Sequence, residues 1–203
     1  MRQSQAGKDQ DVAPMILRAI ANFVGFQSVW FLSLFGAGSH RAWLGALALA
    51  IFTAWHFTTA AHRRADVFLI VAACIVGFVV DTTFIQAQLL AYAEPGPFPA
   101  VAPYWIIGMW VNFALTLNGS MRWLHGRYWL SAALGAVGGP LAYVAGVRLG
   151  AAELLASGPV VYGALAVVWS VAVPVLVLAT ERANRRWPVK DSARHQMRAG
   201  AGG

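Results

Sequence analysis

Six long apolar stretches fill most of this 203-residue chain, and one acidic residue, Asp81, lies deep inside one of them. Each stretch is close to the ~20 residues that a helix needs to cross the hydrocarbon of a bilayer. Lipid offers no hydrogen-bond partners to backbone N–H and C=O groups, so an open chain crosses it only as helix. The spacing predicts an all-α fold, a polytopic membrane bundle of six transmembrane helices at 15–35, 43–61, 67–91, 103–119, 129–149 and 160–180. Residues 1–14 are polar and predict a disordered arm, and 181–203 predict a basic cytoplasmic tail. Met15 offers an alternative start to Met1.

Composition supports this class. Charged residues are 11% of the chain, whereas a soluble domain carries about a quarter. The net charge of +7 does not point to nucleic acid, because the basic residues collect in the loops of one side and in the tail. Arg2, Lys8, Arg18, Arg63, Arg64, Arg122, Arg127 and the tail fall on that side, and only Arg41 and Arg148 fall on the other. Positive residues stay cytoplasmic, so both termini are predicted inside. The single cysteine, Cys74, can form no internal disulfide, and no metal-ligand set is present.

An ionised carboxylate in hydrocarbon costs roughly 2.5–3.5 kcal/mol on insertion scales and is therefore a candidate functional group. Depth along the helices, at about 1.5 Å per residue, converges Gln27, Asp81, Gln88 and Asn112 toward one interior pocket. The same arithmetic puts Arg148 within reach of Asp81, which predicts an Asp81–Arg148 contact, direct or through water. That contact is either an ion pair fixing helix order or the polar floor of a ligand pocket. A second cluster gathers His56, Thr116 and Asn118, with His56 either a structural hydrogen-bonding group or a site residue. Gly135, Gly139, Gly146 and Gly150 form a stripe of small residues that predicts close helix packing. Pro140 and Pro174 predict kinks, and the proline-rich segment 94–99 predicts a rigid cap on the outer mouth.

Several classes are excluded by what is missing. No lysine lies in a span, so no retinal Schiff base can form, and no phosphate loop, nucleophile elbow or His-Glu-x-x-His motif occurs. No cofactor is indicated.

Gly77 with Asp81, Pro103 with Trp105 and Trp110, Thr116-Leu117-Asn118, and above all the run from Gly135 to Tyr143 followed by Gly146 and Arg148 form a wider pattern. Through these residues the chain resembles the bacterial membrane family catalogued as domain of unknown function 2878. The resemblance implies a small inner-membrane protein. Through an association with fatty-acid-modifying enzymes, it also implies a part in membrane lipid modification. It supplies no catalytic residues. Three functions follow as expectations: a lipid-associated protein with membrane lipids as partners, a small-molecule carrier or the substrate-binding subunit of an importer with a membrane-protein partner, and a scaffold without ligand.

Overall fold

The computed structural model describes residues 2–189, so the tail segment 190–203 lies outside the described residues. The described chain folds into six helices and one two-stranded ribbon. In order these are α1 (Arg2–Gly38), α2 (Trp43–Thr59), α3 (Arg63–Gln86), β1 (Leu90–Tyr92), α4 (Tyr104–Ala114), α5 (Tyr128–Arg148), β2 (Ala152–Leu154) and α6 (Gly158–Arg186), with a 3-10 turn at Arg122–Leu124 between α4 and α5. Four helical segments are long and apolar enough to cross a membrane: Ala13–Gly38 of α1, and all of α3, α5 and α6. Their outward faces are hydrocarbon, for example Val67, Val71, Ile75 and Phe78 on α3. Aromatic side chains mark both ends of the bundle. Trp129, at the start of α5, is 92% exposed, and Trp43 and Tyr104 stand out at the other end. From Trp129 to the end of α5 the rise is about 30 Å, the thickness of a bilayer's hydrocarbon core.

Three helices stop in the same way, and the ribbon grows from two of them. After α1 the Arg41 N–H reaches back to Gly36 O, and the His40 N–H to Ala37 O. After α3 the pairs are Leu89 to Phe84 and Gln88 to Ile85; after α5 they are Ala151 to Gly146 and Gly150 to Val147. These are Schellman caps, which need one residue in the left-handed region. His40, Gln88 and Gly150 occupy it, at φ 57°, 55° and 73°. All three caps sit at one end of the bundle. There β1 and β2 pair antiparallel, with Leu90 opposite Leu154 and Tyr92 opposite Ala152. The ribbon satisfies backbone groups that would otherwise be left bare.

The fourth span departs most from the sequence reading. The expected helix at 103–119 ends at Ala114, so α4 has 11 residues and rises only about 16 Å. Thr116, Asn118, Gly119 and Ser120 turn the chain instead, because short polar side chains offer the backbone local partners. The Thr116 hydroxyl donates to Phe113 O at 2.6 Å. Asn22 of α1, which is 3% exposed, holds this irregular segment from outside. Its amide donates to Leu115 O, and its carbonyl accepts from the Ser120 N–H and hydroxyl. A Cβ on Gly119 would run into that Asn22 side chain.

Three further boundaries shift. α3 starts at Arg63 and ends at Gln86, five residues short of the expected 91, because its cap turns the chain into β1. α1 begins at Arg2 and takes in the stretch expected to be an irregular arm; its glutamines, alanines and lysine favour helix. α6 continues to Arg186, six residues past the expected end of the span.

Tight contact between α5 and α6 depends on glycine. A Cβ on Gly135 would strike the Trp169 carbonyl, and one on Gly139 would strike the Trp169 indole. Gly146 lies instead toward Leu34 of α1, and Gly150 is the α5 cap rather than part of the packing stripe.

Candidate functional site

Asp81 is 0% exposed and receives three hydrogen bonds from three other elements. The Tyr92 hydroxyl on β1 donates to Oδ1 at 2.5 Å. The Tyr143 hydroxyl on α5 donates to the same oxygen at 2.5 Å. Trp110 Nε1 on α4 donates to Oδ2 at 2.7 Å. A carboxylate that accepts three donors keeps much of the stabilisation that water would have given it. One turn below Asp81 is Gly77, where a Cβ would meet the Trp110 indole. Glycine there lets the ring lie flat against α3 with its N–H turned to the acid. Trp110 in turn stacks on Trp169 of α6, with centroids 4.5 Å apart and planes at 11°, and the Trp169 ring rests in the space left by Gly139. Two indoles held between two glycines thus connect α3, α4, α6 and α5. Such a stacked pair adds roughly 0.5–1.5 kcal/mol beyond burial.

The expected Asp81–Arg148 contact is not made directly: among the described residues the ion pairs are His56–Asp66 and Arg185–Glu181. Arg148 is exposed at the end of α5. It lies five residues beyond Tyr143 and so about 140° further round the helix, which turns it away when Tyr143 faces the acid. Nor do the other expected pocket residues converge. Gln27 lies in a shallow groove on the outer face of α1, among Phe23, Val24 and Phe31. Gln88 is exposed at the α3 cap, where its amide donates to Ile85 O. Asn112 is fully buried, but its amide donates to Phe26 O of α1 at 3.0 Å. Rotation about each helix axis turns these side chains to different neighbours.

Beside the Asp81 cluster lies a cavity of about 360 Å³. It opens because α5 packs on α6 and stands away from α1 and α4. One wall is the α5 face from Leu134 through Gly135, Gly138 and Gly139 to Gly146; this face rises about 18 Å. The opposite wall is aromatic: Phe26 and Trp30 of α1 with Trp105, Trp110 and Phe113 of α4. The α1 and α5 ends close it off near the ribbon, where a Cβ on Gly38 would strike the Leu149 carbonyl. Tyr92, Trp110 and Tyr143, the three side chains that hold Asp81, all line this cleft. Gly138 is the open point in its wall, since a Cβ there would touch nothing within 4 Å. At the ribbon end, Glu94 of the proline-rich segment accepts the Ala42 N–H at 3.2 Å and, through its backbone carbonyl, Trp105 Nε1 at 3.0 Å.

The second polar cluster stands at the opposite end of the bundle. His56 Nε2 of α2 lies 3.1 Å from Asp66 Oδ2 of α3. Asn118 donates to Asp66 Oδ1 at 2.8 Å, and Asn184 of α6 donates to Asn118 at 2.7 Å. The cluster therefore holds His56 and Asn118 as expected, but not Thr116, whose hydroxyl stays on its own turn. Asp66 and Asn184 were missed because they flank the apolar runs. The signal available was the matching depth of Asp66 with His56.

Two loop histidines beside this cluster titrate away from their ordinary value of 6.5. Burial, then the Arg122 charge, lowers His62, while Asp66 opposes them. Burial also lowers His125, against the Leu117 carbonyl and Glu181, with Arg122 adding a further lowering. A base whose pKa falls on folding binds protons first in the unfolded chain. Stability should therefore decline as pH falls below about 6.5 and level off below the folded values. Thermal unfolding measured from pH 7.5 to 5 is expected to show this decline and to flatten in a His62→Gln, His125→Gln variant. An equal slope in the variant would remove these histidines as the cause.

The fold and cluster define an all-α bundle whose long helices are compatible with a membrane. The chain belongs to the family described as "Protein of unknown function (DUF2878)", whose model matches residues 19–175. Neither the curated proteins nor the solved structures give a match.

Proposed function

We propose that this chain is a multi-pass protein of a bacterial inner membrane that holds the hydrocarbon chain of a membrane lipid in the cleft between α5 and the α1/α4 face. The observation that carries this reading is the cleft itself. It is long, apolar, and within the about 300–1,000 Å³ typical of small-molecule sites. A scaffold without ligand would have no reason to keep it open. All six helices would cross or enter the bilayer, with both termini on the cytoplasmic side. The one-sided distribution of Lys and Arg supports that orientation, as does the alternation of helix ends between the ribbon end and the His56–Asp66 end.

Gly138 provides the test. A Cβ there meets nothing within 4 Å, so leucine is directed into the cleft, and replacing a helical glycine removes a cost of roughly 0.5–1 kcal/mol. The Gly138→Leu variant should therefore be as stable as the parent or more so. Quenching of tryptophan fluorescence by a lipid brominated on its acyl chain, in nanodiscs, is expected to lose in the variant the share due to the cleft tryptophans Trp30, Trp105, Trp110 and Trp169, while the exposed Trp43 and Trp129 stay quenched. Equal quenching in both proteins would count against a lipid-filled cleft.

A further inference from the structure

We propose that the cleft selects a chain bearing a cationic ammonium head, which it seats at the Asp81 end; this rests on the reading of the cleft as a hydrocarbon site. Three observations carry the choice of charge. First, Asp81 accepts from two hydroxyls and one indole N–H. An ionised carboxylate, which only accepts, satisfies all three at once. A protonated one would point its own hydrogen at one of these donors, which would have to turn and accept it instead. Second, no lysine or arginine pairs with Asp81 among the described residues. Arg41 and Arg148, the cations of the ribbon end, are exposed. The negative charge is thus hydrogen-bonded but not neutralised. Third, aromatic side chains line this end of the cleft: Trp30, Trp105, Trp110, Trp169, Tyr92 and Tyr143. Aromatic faces are negative at their centres and attract ammonium groups, quaternary ones included.

These features act together on one ligand class. Asp81 lies five residues before the end of α3, about 8 Å along its axis, so a head seated there sits near the ribbon end while its chain runs down the α5 glycine face. The carboxylate does not touch the ligand. Its field reaches the cleft through the tyrosine oxygens, whose remaining lone pairs can accept from an N–H or face a quaternary centre. An anionic head would be repelled by the same charge. A neutral head would gain only the apolar contacts.

The experiment compares three ten-carbon chains, each brominated at the far end and carrying a trimethylammonium, a hydroxyl or a sulfate head. Each is titrated into the purified full chain in nanodiscs of neutral lipid, with tryptophan quenching as readout. The ammonium probe is expected to bind about tenfold more tightly than the hydroxyl probe, a difference within reach of a cation–aromatic contact in a desolvated site. The sulfate probe should bind more weakly than both. Tyr143→Phe, which removes one donor and leaves the carboxylate in place, should keep the order of the probes. Asp81→Asn should bring the ammonium and hydroxyl probes to within about twofold of each other. If the variant does not fold, the comparison of probes on the parent protein still decides. Equal binding of ammonium and hydroxyl probes to the parent would overturn the cationic head and leave the hydrocarbon cleft standing. No binding of any probe would overturn both. Displacement of the ammonium probe by an ethanolamine phospholipid, but not by a glycerol one, would identify a lipid headgroup as the natural cation. Displacement by neither would assign the site to a free lipophilic amine.

Discussion

Asp81→Asn is expected to destabilise the fold by about 3 kcal/mol, because a carboxamide cannot serve three donors. Whichever way it turns, its NH₂ meets either the Trp110 N–H or the two tyrosine hydroxyls, so at least one buried donor loses its acceptor. Removing the indole donor should relieve part of that conflict. In a Trp110→Phe background the same substitution should cost at least ~1 kcal/mol less, a coupling that a double-mutant cycle of unfolding free energies would measure. Simple additivity of the two changes would mean that the Trp110 bond to Asp81 carries no weight in the folded protein.

Asp66→Ala should have an effect of similar size, about 3 kcal/mol, at the other end of the bundle. It strips the acceptor from His56 on α2 and from Asn118 on the turn after α4, both held by the carboxylate at 3.1 and 2.8 Å. Asn184→Ala should cost less, about 1 kcal/mol, since Asn118 keeps its bond to Asp66. Thermal or denaturant unfolding in detergent would rank the two. An Asp66→Ala protein within about 0.5 kcal/mol of the parent would show that this cluster does not clamp the helices.

Much of this architecture was legible from residue order. Runs of apolar residues fix the number of helices, and the cost of burying a charge singles out Asp81. Gly135 and Gly139 were readable as close-packing positions, and Trp169 now occupies the space they leave. What the sequence hid was direction. Helix depth places Arg148 near Asp81, but rotation about α5 decides that Tyr143 faces the acid. Tyr92 was harder still, since it reaches Asp81 from a strand that straddles the expected end of the third span. Asp66 escaped notice because it sits one residue before an apolar run, where an acid is ordinarily taken as solvated. Gln88 and Gly150 read as members of helix faces because a Schellman cap extends the helical spacing by one residue before reversing the chain.

The three donors to Asp81 lie 11, 29 and 62 residues further along the chain. A nascent polypeptide therefore releases this acid well before its last partner is made. α3 can be complete, and its first hydroxyl available, while the carboxylate still lacks both the indole and the second phenol. Assembly of the two halves of the protein is thereby tied to one residue. A chain cut short before α5 carries an acid short of a donor into the bilayer, a defect of the kind that membrane quality control can recognise.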